Sequence, residues 1–208
     1  MKMNKKWVIL SLISLILFLI VLYSVNNTNL FSSINKIVNS NMIYYHTNFL
    51  TKIFTLYHYT FDTISLTIAT IIIALVLYLF KKKREAIILA SVMILNVVSL
   101  YLIKHLLLIT RPLGGLVLES NSSFPSGHVT SSIVFIGLVT YISFEFFEKR
   151  WVFAEKIVTF EMIALIIFIA YSRIYLGVHW FSDIIGGLFL GIFWLTIGLR
   201  FLYNPKRT

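Results

Sequence analysis

Six runs of apolar residues, each near the length of a membrane span, leave this chain little freedom in how it folds. They cover Trp7 to about Ser24, then roughly Thr60–Phe80, Ala86–Leu108, Val129–Phe147, Ile157–Gly177 and Trp180–Tyr203. A helix needs about 20 mainly apolar residues to cross the hydrocarbon core of a bilayer, so 208 residues hold six such helices and little else. The expectation is an all-α polytopic membrane protein: a six-transmembrane-helix bundle forming a single membrane-embedded domain over residues 1–208. Composition agrees, because 12% of the residues are charged against roughly 25% in an ordinary soluble domain. The first run follows a basic MKMNKK and has the outline of a signal peptide. It is longer than a typical signal core, and Ser24-Val25-Asn26-Asn27 offers no small-residue cleavage pattern, so it reads as a retained span.

The formal charge of +10 would suit a nucleic-acid partner only if the basic residues shared one soluble face. They sit instead between the apolar runs, which excludes that class and sets an orientation, since short basic loops stay cytoplasmic. With the N-terminus inside, the cytoplasmic segments hold Lys2, Lys5, Lys6, Lys81 to Arg84, Lys149, Arg150, Lys156, Arg200, Lys206 and Arg207. That orientation places both termini in the cytoplasm of a multi-pass cell-membrane protein. Lys36, Lys52, Lys104, Arg111 and Arg173 remain, and the last three face outward or lie within a span. Basic residues in such places are candidates for a functional site. The absence of cysteine removes disulfides, thiolate metal sites and a cysteine nucleophile.

Between the first two runs, about Asn26 to Tyr59, Phe31, Ile34, Val38, Leu50, Phe54 and Tyr57 recur at three- to four-residue spacing. That pattern predicts an interfacial helical segment after the first span, read here as a packing lid. His46 and His58 fall in it, match no ligand spacing and are assigned to packing or hydrogen bonding.

Three strings carry chemistry: Lys104-His105-Leu106-Leu107-Leu108-Ile109-Thr110-Arg111-Pro112, then Pro125-Ser126-Gly127-His128, then Ser172-Arg173 followed by His179 and Asp183. At 1.5 Å per residue, Lys104 stands about 28 Å along its span from the basic end and Arg173 about 24 Å along its own. His128 opens the fourth span from the outer side and His179 opens the sixth, so these groups meet at one depth. Lys104, Arg111 and Arg173 supply a point charge and two planar forks suited to a phosphoryl group. Ser126 and Gly127 precede a helix, where free backbone N–H groups favour an anion. His179 has Asp183 four residues on, on the same helix face. A carboxylate on one ring nitrogen leaves the other free to attack, which makes His179 the expected nucleophile. His128 is then the expected acid for the leaving oxygen and base for water.

Each string alone has a plainer reading: a snorkelling anchor with a helix stop, a turn into a helix, interfacial hydrogen bonding. By chance a four-residue string recurs over a chain this long at roughly one in a thousand, and the three occur together, in order. KHLLLITRP, PSGH and SRIYLGVHWFSD resemble the three signature motifs of the type 2 phosphatidic acid phosphatase superfamily at every fixed position. The resemblance implies a metal-free phosphohistidine mechanism without cofactor, with His179 as nucleophile, Asp183 as its partner and His128 as acid. It implies phosphate binding by Lys104, Arg111, Ser126, Gly127 and Arg173. In size and layout the chain resembles the bacterial group of phosphatidylglycerophosphatase B and undecaprenyl diphosphate phosphatases.

A metal-free site is also expected because only Asp62, Glu119 and Asp183 lie on the outer side, too few for a two-metal phosphatase. Asn96, eight residues before Lys104, is read as an orienting or plain interhelical contact, and His105 is left out of the site. The expected substrate is a lipid phosphate or diphosphate taken from the bilayer, with an extracytoplasmic site. Undecaprenyl diphosphate going to undecaprenyl phosphate comes first. The alternatives are a phosphatidylglycerophosphate or phosphatidic acid phosphatase, and a lipid-to-lipid phosphotransferase. A vanadate-binding oxidoreductase fits poorly with six spans, and a lipid carrier would need polar residues along a whole path.

Overall fold

The computed structural model describes residues 5–146 and 152–203; Lys2, Phe147, Glu148, Lys149, Arg150, Lys206 and Arg207 lie outside the described residues. Among the described residues eight helices follow one another: α1 (Lys5–Asn27), α2 (Ser32–Met42), α3 (Asn48–Thr60), α4 (Thr63–Leu79), α5 (Lys83–Leu107), α6 (Gly127–Phe146), α7 (Val152–Tyr175) and α8 (Phe181–Leu202), with a 3-10 turn at Ile43–Tyr45. Among the described residues there is no strand.

Helices α1, α5, α6, α7 and α8 are each long and apolar enough to cross a membrane. Their bounds fall within a few residues of the apolar runs. The second run behaves differently. α4 has 17 residues, about 25 Å of helix against a hydrocarbon core of ~30 Å. It meets the span test only together with α3, from which it is bent by 51°. The bend sits at Phe61-Asp62, where the Asp62 carboxylate accepts from the Ser65 N–H and caps α4 afresh. A short polar side chain at that position offers the backbone an alternative to continuing the helix.

The segment after α1 is helical as expected, and it packs. Phe54 is buried against Phe168, Tyr171 and Tyr175 of α7. Asn35 of α2 exchanges two hydrogen bonds with Ser182 of α8, both at 3.0 Å. His46 Nε2 lies 2.8 Å from the Tyr175 carbonyl, in the hydrogen-bonding role expected of it.

At the centre lies α6, the most buried of the apolar helices, with α8 packed along it and along α1. Small residues allow the approach. A Cβ on Gly187 would stand 2.8 Å from the Ser126 carbonyl oxygen, and one on Gly191 would stand 2.9 Å from Ile133 Cβ. Four residues apart on α8, these glycines form the small-residue face that lets membrane helices pack backbone to backbone. The start of α6 is thereby seated directly on α8. Asn96 donates to Ser131 Oγ at 3.1 Å, a plain α5–α6 contact. Outward, α1, α4 and α7 present apolar side chains such as Ile16, Ile71 and Ile163, as lipid-facing surfaces require.

Candidate active site

Lys104 lies in the last turn of α5, and Leu108 then turns the chain with φ +49°. The loop that follows is pinned at several points. The Ile109 N–H donates to Ser122 Oγ at 2.9 Å, the Ser123 N–H to the Ile109 carbonyl at 2.9 Å, and Trp180 Nε1 to the Thr110 carbonyl at 2.8 Å. The Leu116 N–H donates to the Leu176 carbonyl at 2.8 Å, holding the loop against the α7–α8 turn. There the chain turns back at Gly177, whose φ is +64°; this left-handed conformation suits glycine.

Three elements therefore bring their polar groups together. A cleft of about 160 Å³ is lined by Lys104, Arg111, Gly127, His128 and His179. Lys104 Nζ donates to the Ser122 carbonyl. The Arg111 fork donates to the carbonyls of Asn121 at 2.9 Å and Val178 at 2.6 Å, and to Glu119 Oε2 at 3.4 Å. Arg173, Ser126 and Asp183 are fully buried and stand behind the cleft wall. Ser126 donates its N–H to the Asp183 carbonyl at 3.0 Å, and its Oγ is buried without a hydrogen-bond partner.

His179 Nδ1 lies 3.2 Å from Asp183 Oδ2, and the same oxygen accepts the Trp180 N–H at 2.8 Å. A carboxylate accepts, so Nδ1 carries the proton and Nε2 keeps its lone pair. Burial holds the His179 pKa well below the ordinary imidazole value, and the positive charges of Arg111 and Lys104 push the same way. The imidazole is neutral at pH 7, the state a nucleophile needs. His128 Nε2 lies 2.9 Å from the His58 carbonyl oxygen. Only a donor suits that contact, which leaves Nδ1 as the atom available to a substrate.

His58 is where the geometry departs from the sequence reading. Its ring stacks on His128, with centroids 5.0 Å apart, and its Nδ1 lies 2.7 Å from an Arg173 guanidinium nitrogen. The expected role in packing and hydrogen bonding holds, but at the centre of the site. Glu119, counted only as an outer carboxylate, lines the cleft beside Arg111, and so does Asp62. No spacing signal marked His58 or Glu119. Both are brought in by the α3–α4 bend and by the loop. His105 points away, its Nδ1 2.8 Å from the Tyr101 carbonyl.

His58, Glu119 and His128 have ligand-type atoms within 4.8 Å of one another. As a cation site the cluster is poor. Arg173 can only donate, so His58 Nδ1 accepts and a neutral ring carries its proton on Nε2, the atom facing Glu119. Arg111 and Arg173 add positive charge beside it.

The model of the PAP2 superfamily matches residues 85–207, which takes in all three strings. The chain belongs to the PAP2 superfamily. It is a multi-pass membrane protein and a phosphatase of the PAP2 type, a family whose members hydrolyse phosphate esters. It is 26% identical over 184 residues to phosphatidylglycerophosphatase B of Bacillus subtilis, covering 86% of this chain and 89% of that protein. Over 69 residues it is 38% identical to lipid A 4'-phosphatase of Porphyromonas gingivalis, covering 33% of this chain and 25% of that one. The PAP2 fold is also seen in the crystal structure of a transmembrane PAP2-type phosphatidylglycerolphosphate phosphatase from Bacillus subtilis. That structure superposes with a TM-score of 0.80 at 22% identity, covering 91% of this chain and 94% of the other. The PAP2 match begins at Glu85, so α1 to α4, and with them His58, lie outside it.

Proposed function

We propose that this protein hydrolyses a lipid phosphate through a phosphohistidine at His179, acting as a single membrane-embedded domain with its site on the extracytoplasmic side. The observation that carries the reading is the His179–Asp183 contact at 3.2 Å opening on a cleft shared with Lys104, Arg111 and His128. Lys104 and Arg111 draw the phosphoryl oxygens in and stabilise the charge spread over them in the transition state. His179 Nε2 attacks phosphorus in line with the leaving oxygen. Its imidazolium is stabilised by Asp183. His128 starts as the imidazolium, its Nε2–H held on the His58 carbonyl, and gives its Nδ1 proton to the departing lipid oxygen. The same nitrogen then takes a proton from water, which attacks the phosphohistidine, releases phosphate and restores His179. Gly127 brings the first backbone N–H groups of α6 to the cleft. Ser126, with a buried unpartnered hydroxyl, and Arg173 support it from behind. No step in this scheme calls for a metal ion.

Likeness over 86% of this chain to a phosphatidylglycerophosphatase B favours phosphatidylglycerophosphate as the substrate. Undecaprenyl diphosphate is the second reading. It rests on the outward site, which meets lipid diphosphates exposed in the outer leaflet. Phosphate release from purified protein decides between them, using phosphatidylglycerophosphate, phosphatidic acid, diacylglycerol diphosphate and undecaprenyl diphosphate in matched micelles. The highest kcat/KM is expected for phosphatidylglycerophosphate. A preference for undecaprenyl diphosphate would reverse the order, and phosphate transfer to an added lipid alcohol would make the enzyme a transferase.

A further inference from the structure

The cleft contains a carboxylate where an anionic substrate has to bind. Glu119 lines it beside Lys104, Arg111, His128 and His179. One of its oxygens is 3.4 Å from Arg111 Nη2 and the other 3.9 Å from His58 Nε2. Two groups thus face the carboxylate, and both are donors. Arg111 can only donate. His58 is committed by its other nitrogen, because Nδ1 accepts from Arg173 at 2.7 Å and a neutral ring must then carry its proton on Nε2. The guanidinium behind the ring polarises that N–H, as linked hydrogen bonds do in a low-dielectric interior. Ring stacking on His128 and the contact of the His58 carbonyl with His128 Nε2 fix its direction.

We propose that His58 is a further phosphate-binding residue, and that Glu119 holds the place its N–H and Arg111 give to a phosphoryl oxygen when substrate binds. This rests on the phosphatase reading of the same cleft. A doubly charged phosphoryl group brings more charge and one more oxygen than a carboxylate, so it wins the two donors while repelling Glu119. The carboxylate has room to leave. Its segment runs between the Leu116 and Asn121 anchors, and its neighbours Leu118 and Ser120 are exposed. His58 also explains how the fully buried Arg173 serves a cleft it does not line: its charge reaches the phosphate through the imidazole. Glu119 thereby sets the threshold an anion must exceed to enter, favouring a dianionic phosphomonoester over singly charged phosphodiesters and carboxylates.

The test uses the 208-residue protein in detergent, with orthovanadate as competitive inhibitor and dioleoyl phosphatidic acid as substrate. Glu119→Gln keeps the shape and removes the internal competitor. It should tighten vanadate inhibition and lower KM by about threefold to fivefold, the size of a partly exposed ion pair. His58→Phe keeps the stacked ring and removes both nitrogens, and should weaken vanadate inhibition by about tenfold. His58→Gln, which can both accept from Arg173 and donate, should recover much of that loss even if His58→Phe is poorly folded. Unchanged or weaker vanadate inhibition in Glu119→Gln would overturn the proposal. So would a His58→Phe enzyme with reduced kcat but wild-type vanadate inhibition, the mark of a residue that only positions His128. A wild-type protein that releases no phosphate and ignores vanadate would overturn the phosphatase reading itself, a different result from either.

Discussion

His128 Nε2 lies 2.9 Å from the backbone carbonyl oxygen of His58, so one nitrogen of the ring is spent on the protein and Nδ1 alone is left for chemistry. His179 is arranged the other way round, with Nδ1 held by Asp183 at 3.2 Å and Nε2 free. The two rings therefore offer opposite nitrogens to one cleft.

Unequal partners imply unequal defects. His179→Ala should abolish turnover and any trapped phosphoenzyme, because His179 is the proposed nucleophile and His128 is assigned to proton transfer. His128→Ala should cost roughly 10²- to 10⁴-fold on a lipid monophosphate and much less on an activated aryl phosphate, whose leaving group needs little help. Asp183→Asn should fall between them, since the imidazole stays while its tautomer and charge lose support. Rapid-quench trapping with radiolabelled substrate reads all three. Phosphoenzyme formed by His179→Ala but not by His128→Ala would exchange the two roles.

The pH profile follows from the His179 environment. Its folded-state pKa lies well below the ordinary imidazole value of 6.5, so the neutral nucleophile persists as pH falls past the point where a free histidine is half protonated. The acid limb of kcat/KM for an aryl phosphate should therefore lie below about pH 6.5. Stability runs in the same sense: the unfolded chain takes up the proton first, so folding free energy declines with acidification from about pH 6.5 downward. An acid limb above neutrality would contradict a neutral buried nucleophile.

Sidedness is open to chemical labelling. Leu118 on the α5–α6 loop is fully exposed, and Lys83 is exposed at the other end of α5. In intact cells Leu118→Cys should react with an impermeant thiol reagent while Lys83→Cys should not. The opposite pattern would place the site in the cytoplasm.

Phosphate release should survive excess chelator and be blocked by vanadate, a mimic of the five-coordinate phosphoryl group. Complete loss in chelator, restored by one divalent metal, would show that the His58, Glu119 and His128 cluster holds a working cation after all.

Close packing at the start of α6 gives a fifth test. A methyl group on Gly187 would come within 2.8 Å of the Ser126 carbonyl, so Gly187→Ala should destabilise the fold by about 1 to 3 kcal/mol, visible as a lower Tm in detergent. Activity should drop further than stability does, because Ser126 and Gly127 move with the strain.

The apolar runs made α1, α5, α6, α7 and α8 legible in the sequence, because a helix that crosses a bilayer must be mainly apolar over about 20 residues. The α3–α4 span was not legible as a bent pair. Its break depends on one cap at Asp62, which hydropathy does not register. Likewise Lys104, Arg111, Gly127, His128 and His179, which line the cleft, came from local strings whose helices end at one level. His58 and Glu119 come from segments with no fixed spacing to those strings. Their place is decided by tertiary packing: Phe54 anchoring α3 on α7, and Leu116 and Asn121 anchoring the loop.

One oxygen of Asp183 receives both the N–H that starts α8 and the ring proton of His179. Helix register and reactivity are thus written into the same atom. A residue added to or removed from the Leu176–Trp180 turn would leave a well-formed helix whose first carboxylate is rotated by about 100° from the histidine. A change in the length of this turn therefore separates the nucleophile from its carboxylate even where membrane insertion would tolerate it.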